Sequence, residues 1–532
     1  MTTYPYPVGI VGAGPCGLLT ALLLARFGIR CAVFERQGGL STHPKAMGIS
    51  RRTAEIFRQT GVLAPMLAAS LPRERFDLSV WESSLVGEEY GRIPWEPGDE
   101  MASPCQVVHC PQTVTEQALL SALEKEENAS IFFDHEVTSL EEIPGGIHLH
   151  VHRSAYDQHI LVQCQYVVAA DGAGSRTRHA LGIAADGPGD QGHFLNTFFR
   201  ADYGSRLMTR PAILNNVLTE ELFVSYVAVN GSDLWLMHLF LDEGQTPADW
   251  PQEKLLGTII HASGLPDVPV EILSVSPWVM SPKVARQFRK GRVLLTGDAA
   301  ARLSPTGGLG MNTGLQSAHN LAWKIAAVLH GAPEVLLDSY QAERHPMAAQ
   351  TFQTADSFRS EVWELVGAGL SGEWDKVRAL LATSKRRGGT DKQDLGWRYE
   401  QGAFLSEPEA SGVDSGGAPG ARAPHVWLER DGVRCSTLDL FGRSFVLLAA
   451  SPASAWQFAL EKEIGGFAIE VFQIGGDDGF SDASGRFRSL YGIEPGGAIL
   501  VRPDGVVAWR SKSAPAHPEQ AFDEAVAGLL SA

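Results

Sequence analysis

Three glycine-rich stretches, each placed just after a short apolar run, contain the residues whose types and spacing could do chemistry. The first stretch consists of Gly12, Ala13, Gly14, Pro15, Cys16 and Gly17. In this spacing the first glycine permits a tight turn, the second lets a pyrophosphate approach the backbone, and the third allows helix and strand to pack closely. Glu35 and Arg36 follow at the end of a second apolar run, where a carboxylate can accept a hydrogen bond from a ribose hydroxyl. The pattern predicts a dinucleotide site.

The second stretch follows the apolar run that ends at Ala170, and its acidic residue is Asp171. A carboxylate and small residues at the carboxyl end of a strand place a polar turn beside the crevice where cofactors bind in open α/β sheets. Two interpretations stay open at this point. Asp171 caps the helix that follows, or its turn lies near the pyrophosphates of a bound flavin and of an incoming nicotinamide.

The third stretch spans residues 297–314 and combines an acidic residue, a proline and several glycines. Asp298 follows a strand, where it can accept a hydrogen bond from a ribityl hydroxyl. The glycines lead into a helix predicted to begin near Met311, whose first backbone N–H groups would point at an anionic ring edge. A reduced flavin carries such a charge, and this interpretation is favoured over a glycine loop with a capping aspartate. The residues assigned to the cofactor here are Gly297, Asp298, Pro305, Gly310, Met311 and Asn312.

Together with residues 340–346, these stretches resemble the class A flavoprotein aromatic hydroxylases, the para-hydroxybenzoate hydroxylase family. The matches are G-x-G-x-x-G, D-G-x-x-S-x-x-R, G-D-A-A…P-x-G-G-x-G-M-N-T-G and Y-x-x-E-R-x-P. The resemblance implies that Lys45 and Gln112 also contact FAD and that Pro305 lies beside its ring. Two positions depart from the family pattern, since Lys45 stands where arginine is usual and Ala301 where histidine is common.

The C-terminal part of the chain is similar to the thioredoxin-like extension of one subfamily, the polyketide and indolocarbazole monooxygenases of the rebeccamycin-pathway type. The matching segments are residues 419–425, 436–442 and 501–509. No C-x-x-C motif is present: Ser451 and Ser454 follow the strand where thiols would be expected, and Gly497 stands at the place of the cis-proline. Because a thiol oxidoreductase needs an attacking thiolate, we expect a structural or interfacial domain.

The alternation of elements and the resemblance together predict an α/β fold with three parts. These are a Rossmann-type FAD-binding domain of the GR2 class, an inserted mixed β-sheet domain for the substrate, and a C-terminal thioredoxin-like domain. Residues 1–186 and 286–400 form the FAD-binding domain and its helical segment, 187–285 the sheet domain, 401–421 a linker and 422–532 the last domain. Helices are predicted over residues 15–27, 52–59, 112–125, 315–329 and 339–382.

The resemblance implies a monooxygenase in which NAD(P)H reduces FAD and O₂ adds to the reduced flavin. The resulting C4a-hydroperoxide transfers one oxygen atom to a phenolic or polycyclic aromatic substrate, while the protein positions the reactants. No general base can be named: Pro305, Arg210 and His238 are the catalytic candidates, with His193 weighed beside them. The inserted sheet offers candidate cavity-lining side chains, namely Phe198, Phe223, Tyr226, Trp235, Met237 and Phe240.

Other functions stay open on the same fold. One is a non-hydroxylating flavoprotein that binds or shields a reactive intermediate, and another is a flavin-dependent oxidase or a Baeyer–Villiger-type oxygenase. A flavin-dependent halogenase is less favoured, because the W-x-W-x-I-P motif expected of many such enzymes is absent from the sequence.

Composition disfavours several further classes. The net charge of −17, from 44 Lys+Arg against 61 Asp+Glu, argues against binding to phosphate backbones and to anionic membranes. The six cysteines form no C-x-x-C pair and have no histidine at zinc spacing. We expect a metal-free cytoplasmic enzyme whose partners are an aromatic small molecule and O₂, with no nucleic acid and no membrane. The oligomeric state stays open, a homodimer included.

Overall fold

The computed structural model of the chain describes residues 3–95, 98–384, 391–407 and 416–531. The linker expected over residues 401–421 is described only at its two ends, because residues 408–415 lie outside these ranges. Within the same ranges, no helix is both long enough and apolar enough to cross a membrane.

Strands dominate the chain up to residue 302. Helices dominate residues 310–394, and the last part of the chain contains both strands and helices. The strands are β1 (Thr3–Val11), β2 (Cys31–Phe34), β3 (Gly48–Ile49), β4 (Leu78–Glu82), β5 (Glu89–Pro94), β6 (Val108–His109), β7 (Ala129–Phe132), β8 (His135–Ile143), β9 (Gly146–Arg153), β10 (Gln158–Ala169), β11 (Ala185–Asp186), β12 (His193–Arg200), β13 (Leu214–Leu218), β14 (Phe223–Ala228), β15 (Leu234–Leu241), β16 (Glu271–Val279), β17 (Lys283–Ala285), β18 (Arg289–Lys290), β19 (Val293–Leu295), β20 (Ala301–Arg302), β21 (Trp427–Arg430), β22 (Val433–Ser436), β23 (Phe445–Ala450), β24 (Glu463–Ile464), β25 (Phe467–Ile474), β26 (Ala498–Val501) and β27 (Val507–Ser511). The helices are α1 (Pro15–Arg26), α2 (Arg51–Gln59), α3 (Leu63–Ala68), α4 (Arg73–Phe76), α5 (Gln112–Leu123), α6 (Arg176–Ala180), α7 (Gln252–Ser263), α8 (Gly310–Leu329), α9 (Asp338–Leu370), α10 (Trp374–Thr383), α11 (Asp391–Asp394), α12 (Phe487–Tyr491) and α13 (Pro518–Leu530).

The first sheet has the strand order β18-β19-β10-β1-β2-β7, and β9 and β8 continue from β10. Strand β1 pairs in parallel with both β2 and β10, so Ile10 lies between Val33 and Val168. All three side chains are fully buried, as expected for central parallel strands that are covered on both faces. Because β1, β10 and β19 are mutually parallel, their carboxyl ends meet at one edge. The three glycine-rich stretches follow these strand ends and are therefore brought together, as the sequence predicted.

The second sheet has seven strands in the order β16-β12-β15-β14-β13-β4-β5. The sequence assigned this sheet to residues 187–285 alone, whereas β4 and β5 come from residues 78–94. Strand β4 pairs in parallel with β13, with Ser79 opposite Leu214. Side chains on one face are buried against α7, and those on the other face are only half-buried.

The last domain contains a five-stranded mixed sheet in the order β24-β25-β23-β26-β27. Buried ion pairs join it to helices α2 and α9 of the preceding part of the chain. Arg502 contacts Glu343 of α9 at 2.7 Å, and Arg422 Nε donates to Glu55 of α2 at 2.8 Å. Removing one partner of a buried pair typically costs about 3–5 kcal/mol, so these contacts hold the last domain in a defined place.

Candidate active site

In the turn between β1 and α1, other atoms lie close to Gly12 and Gly17, whereas the space beside Gly14 is open. A Cβ at Gly17 would lie 2.0 Å from the carbonyl oxygen of Gly12, whose own φ is +102°. A positive φ of this kind strongly favours glycine. By contrast, a Cβ at Gly14 would meet no described atom within 4 Å. Open space therefore lies directly outside Gly14, at the N-terminus of α1.

Glu35 holds this turn from the end of β2. Its Oε2 accepts the backbone N–H of Ala13 at 2.9 Å, while the neighbouring Arg36 is exposed. Helix α1 has no side-chain cap and no acidic residue in its first turn, so its first N–H groups and the positive end of its dipole face the open space. Cys16 fills the gap beside Gly314, where burial raises the pKa of its thiol. The turn fits an anionic group such as a pyrophosphate.

Asp298 supplies a carboxylate acceptor at the same edge of the first sheet. Its carboxylate has no hydrogen-bond partner in the described part of the chain. Burial raises the pKa of Asp298, with Arg302 and Lys45 acting in the opposite direction. Helix α8 begins nearby at Gly310, again without a side-chain cap or an acidic residue in its first turn. A half-buried carboxylate that lacks a donor suits a ligand with hydroxyl groups, because such groups would satisfy it.

Two of the predicted cofactor residues anchor the loop that carries Lys45. Asn312, in the first turn of α8, donates from Nδ2 to the carbonyl oxygen of Gly48 at 3.0 Å. The backbone N–H of Gln112, at the start of α5, donates to the carbonyl oxygen of Ala46 at 2.8 Å. These bonds bring the loop over the edge where the glycine-rich stretches meet.

The Gln112–Ala46 bond and the Asn312–Gly48 bond thus fix the position of this loop from two different helices. Together with the open space outside Gly14 and the unpartnered Asp298, they form an extended polar cradle along one sheet edge. Two uncapped helix N-termini suit anionic groups, and a lone carboxylate suits hydroxyl groups. The residues present therefore fit FAD, which combines a pyrophosphate, a ribityl chain and a ring that becomes anionic on reduction.

The carboxylate of Asp171 accepts hydrogen bonds from residues of the turn that it begins. Its Oδ1 accepts the Ser175 hydroxyl at 2.6 Å and its Oδ2 accepts the backbone N–H of Thr177 at 3.0 Å. The Ser175 oxygen in turn accepts the N–H of Arg178 at the start of α6. The capping interpretation is confirmed, and contact between Asp171 and a cofactor stays a prediction.

The half-buried face of the second sheet lies beside the loop that carries Lys45. His43 of that loop hydrogen-bonds through Nδ1 to Ser274 of β16 at 2.7 Å, and its ring packs edge-on against Phe198. Trp363 of α9 packs against two further rings of the same face. Six aromatic side chains are grouped here: Phe194, Phe198, Phe223, Phe240, Trp278 and Trp363.

Pro305 lies at the border of this face. It is exposed in the loop before α8, and a Cβ at Gly307 would lie 2.9 Å from the ring of Phe358 on α9. Trp363 follows Phe358 on the same helix by little more than one turn. On the other side of the loop, Ser304 Oγ lies 3.8 Å from Met280 Sδ, two residues after Trp278, so the loop that contains Pro305 adjoins the end of the aromatic face.

A hydrogen-bonded group of three side chains lies on the same face. Trp278 Nε1 and His238 Nδ1 both lie 2.6 Å from Asn196 Oδ1. An indole N–H can only donate, so the shared atom must be the amide oxygen, and His238 must also donate to it from Nδ1. Burial, with a smaller contribution from His43, lowers the pKa of His238 to about 4. The imidazole is therefore neutral near pH 7 and keeps Nε2 as an acceptor.

Two family models match the chain. The first, described as an FAD binding domain, matches residues 5–355. The second, described as the C-terminal region of aromatic-ring hydroxylases, matches residues 416–532. The chain belongs to the FAD-binding aromatic-ring hydroxylase family. It is a flavin-dependent monooxygenase.

Relatives of known sequence agree with this assignment over the full length. A putative polyketide hydroxylase of Streptomyces halstedii is 36% identical, with 96% of this chain and 94% of the relative covered. The tetracenomycin A2 monooxygenase-dioxygenase of Streptomyces glaucescens is 33% identical, with 97% and 95% covered.

Solved structures show the same fold. The flavin-dependent monooxygenase PieE, in complex with FAD and substrate, has a TM-score of 0.91 at 30% identity, and the match covers 99% of each chain. The rebeccamycin biosynthetic enzyme RebC with reduced flavin has a TM-score of 0.84 at 30% identity, with 99% of this chain and all of the other covered. FAD is therefore the cofactor of this hydroxylase family member.

Half of the predicted cavity lining lies on the wrong face of the hydroxylase's second sheet. Tyr226, Trp235 and Met237 are fully buried in the core beside α7, and the Tyr226 hydroxyl donates to the carbonyl oxygen of Ile259 in that helix. Phe198, Phe223 and Phe240 do lie on the half-buried face. The sequence showed the alternation of each strand, but it did not show which set of alternate residues faces α7.

Arg210 and His193 are not brought to the aromatic face. Arg210 pairs with Glu82 at 2.9 Å, and Glu82 lies opposite Val217, a member of the core beside α7. His193 is exposed and lies opposite Leu241, which belongs to the same core. The structure therefore places both residues away from the aromatic face, and a catalytic role for either stays a prediction.

Sequence reasoning also missed several residues of this face, including Phe194, Asn196, Trp278 and Trp363. The first three belong to strands β12 and β16, where they become neighbours only through antiparallel pairing, with Phe194 opposite Trp278. Trp363 comes from α9, far along the chain. The available signal was the even-numbered alternation of Phe194, Asn196 and Phe198, which marks one face of a strand.

Proposed function

We propose that this monooxygenase hydroxylates a phenolic or polycyclic aromatic substrate, with FAD as the bound cofactor and NAD(P)H as a transient reductant. The observation that carries the proposal is the aromatic face with a neutral acceptor, His238 Nε2, beside the loop that contains Pro305. Flat aromatic side chains suit a flat substrate, and one polar acceptor among them suits a ring that bears a hydroxyl group.

The residues proposed to hold FAD are those that line the cradle. Gly14 and the N-terminus of α1 would bind the pyrophosphate, Glu35 the adenosine ribose, and Asp298 the ribityl hydroxyls. The N-terminus of α8, at Gly310 and Met311, would face the ring edge that becomes anionic. Held in this way and reduced, FAD would supply the chemistry that activates O₂, from which one oxygen atom passes to the substrate.

The protein's own contribution to the reaction is to hold the substrate ring and to exclude water. Phe194 and Trp278 are stacked with their ring centroids 4.4 Å apart, and Phe240 contacts Trp363 at 4.6 Å. These pairs give rigid apolar walls, which position a ring at low entropic cost. The names of its relatives support this class, since they include a putative polyketide hydroxylase and, at 29% identity, a 2,4-dichlorophenol 6-monooxygenase of Delftia acidovorans.

His238 is proposed to accept a hydrogen bond from a substrate hydroxyl. A phenol that donates a hydrogen bond gains electron density in its ring, which favours attack by an electrophilic oxygen. Asn196 would act as a positioning residue, because it fixes the His238 tautomer that leaves Nε2 without a proton. Trp278 holds Asn196 in place by donating to the same oxygen.

Oxidation of NAD(P)H in the presence of candidate aromatics tests the activity. We expect a hydroxylated phenol, anthraquinone or tetracyclic polyketide to accelerate flavin reduction, and the new hydroxyl of the product to carry ¹⁸O when ¹⁸O₂ is supplied. Tight binding of an aromatic without any product would instead favour a flavoprotein that shields its ligand. Product that carries no label from ¹⁸O₂ would overturn the proposal.

The pH dependence of kcat/KM tests the roles of His238 and Asn196. In the wild type, activity is expected to fall only below about pH 5, because the pKa of His238 is about 4. Asn196→Asp places a carboxylate against the imidazole, which raises a histidine pKa by about 1–3 units. The protonated ring loses its acceptor, so the acid limb should move to higher pH by a similar amount.

Three further variants complete this test. His238→Leu should lower kcat/KM about 10- to 100-fold, as expected for loss of a hydrogen bond in a polar site, and His238→Gln should restore part of it. Asn230→Asp, in an exposed turn of the same sheet, is the matched control and should leave the acid limb in place. An unchanged acid limb in Asn196→Asp would refute the positioning role.

Three finer expectations are also proposed. The last domain is proposed to be thioredoxin-like, which its mixed sheet supports, because β23 is parallel to β25 and antiparallel to β26. It is proposed to lack thiol chemistry, because Cys435 is its single cysteine. A homodimer and a cytoplasmic location stay predictions. Light scattering of the FAD-loaded enzyme distinguishes a dimer from a monomer.

A further inference from the structure

A small polar cavity lies where the FAD-binding part of the chain meets the last domain. Its volume is about 40 Å³. Helices α2, α8 and α9 form one wall, and residues 394–399, 420–422 and 504–506 form the other. The polar side chains that line it are Arg52, Gln316, His319, Asn320, Arg344, Asp394, Trp397, Tyr399, Arg422 and Asp504. None of these residues belongs to the aromatic face or to the FAD cradle.

Two of the three arginines in this cavity wall have carboxylate partners. Arg52 pairs with Glu55 at 3.0 Å, and Arg422 pairs with the same carboxylate. Arg344, from the Y-x-x-E-R-x-P motif, is 2% exposed and contacts no carboxylate in the described part of the chain.

Arg344 donates only to neutral oxygens. These are the Ser317 hydroxyl at 3.1 Å, the Tyr399 hydroxyl at 2.9 Å and the carbonyl oxygen of Thr313 at 3.2 Å. A buried guanidinium has five N–H donors, so these bonds leave part of its donor capacity unused. An uncompensated buried charge is strongly unfavourable, which makes this position a place where an anion would be stabilised.

The other unused polar groups in the wall also include donors. Trp397 Nε1–H is buried without a hydrogen-bond partner. The His319 ring is 4% exposed and makes no hydrogen bond with the described residues. The acceptor side is already used, because Asp394 accepts hydrogen bonds from Ser50 and Gln316 and from the backbone N–H of Arg52. The cavity therefore needs an acceptor more than a donor.

We propose that this cavity binds one small monovalent anion, of the size of chloride or formate, between Arg344 and Trp397. Because a buried water needs about 10–15 Å³ of such space, the cavity has room for the anion and a water or two. It is too small for a nucleotide or an aromatic substrate. The bound anion would connect α9 to the segment that contains Trp397 and Tyr399, and so would stabilise the contact between the two parts of the chain.

Thermal unfolding of the FAD-loaded enzyme, at constant ionic strength, tests the site. Chloride or formate replaces gluconate, which is too large for the cavity, and we expect the unfolding midpoint to rise to a plateau as a binding isotherm. In Trp397→Phe, which removes one donor and little volume, the apparent Kd should increase about tenfold. Crystals grown in bromide should show an anomalous peak within hydrogen-bond distance of Trp397 Nε1.

Arg359→Met is the matched control for Arg344→Met. Both arginines lie on α9, but Arg359 pairs with Asp356 on its own helix. The control should keep the wild-type anion response, and Arg344→Met, if it folds, should lose it. Trp397→Phe keeps the test decisive if Arg344→Met does not fold. A midpoint that shows no saturable response to either anion, a wild-type response in Trp397→Phe, or only water in the bromide-grown crystals would overturn the proposal.

Discussion

Replacement of Gly14 by valine is expected to give a folded protein that purifies without its yellow colour. A Cβ at this position meets no described atom within 4 Å, so we expect the apoprotein to have room for the branched side chain. The same side chain would fill the space proposed for the pyrophosphate. Overpacking costs about 1–3 kcal/mol, and loss of the backbone contact adds to this. We therefore expect FAD affinity to fall at least about 100-fold, measured by fluorescence titration of the apoprotein.

Two other glycines provide the comparison for Gly14→Val. Gly257→Val, on α7, places the same side chain in equally open space away from the cradle, and it should leave FAD affinity unchanged. Gly17→Ala should instead destabilise the fold, because its Cβ would lie 2.0 Å from the carbonyl oxygen of Gly12. A full flavin complement in purified Gly14→Val would show that the pyrophosphate does not lie at this turn.

Asp298→Asn is expected to raise the stability of the apoprotein and to lower its affinity for FAD. The asparagine removes a charge that is costly to bury, so the apoprotein should become more stable at pH 7. The same change removes a charged acceptor for the ribityl hydroxyls, and hydrogen bonds to charged groups are worth about 1.5–3 kcal/mol. FAD affinity should therefore fall about 10- to 100-fold. Thermal unfolding of the apoprotein and flavin titration measure the two effects separately.

The stability gain of Asp298→Asn should depend on pH with a definite sign. Burial raises the pKa of Asp298 above its ordinary value of 3.8, so the folded wild type binds the proton more readily than the unfolded chain does. The wild type therefore loses stability as the pH rises through the folded-state pKa. The advantage of the variant should be present at neutral pH, should shrink as the pH falls through the folded-state pKa of Asp298, and should be lost below its ordinary pKa of 3.8. Equal apoprotein stability of the two proteins at all pH values would contradict this account of the site.

The sequence alone was sufficient to predict those features that depend on local geometry. Gly12, Gly14 and Gly17 act within one turn, and the helix after residue 309 begins where the glycines end, so spacing alone predicted both features. The three glycine-rich stretches meet at one sheet edge because parallel strands align their carboxyl ends. That conclusion required only the order of strands and helices along the chain.

Long-range pairing explains most of what the sequence did not show. Tyr226 and Phe223 lie on the same strand, yet strand β14 turns one toward α7 and the other toward the aromatic face. Only packing against α7 decides which set is buried. Arg344 illustrates a different limit of prediction from sequence. Its motif was recognised, but its hydrogen-bond partners depend on how residues 397–399 pack against α9.

The parallel pairing of β4 with β13 has a consequence for synthesis of the chain. Ser79 and Asn216, which hydrogen-bond across these strands, are 137 residues apart. At about 5–20 residues per second, β4 waits roughly 7–27 s for its neighbour to be translated. During that interval the β4–β5 hairpin has an unpaired edge, on which Trp81 has yet to be covered. Nascent chains paused between these two strands should therefore depend more on chaperones than chains paused after β13.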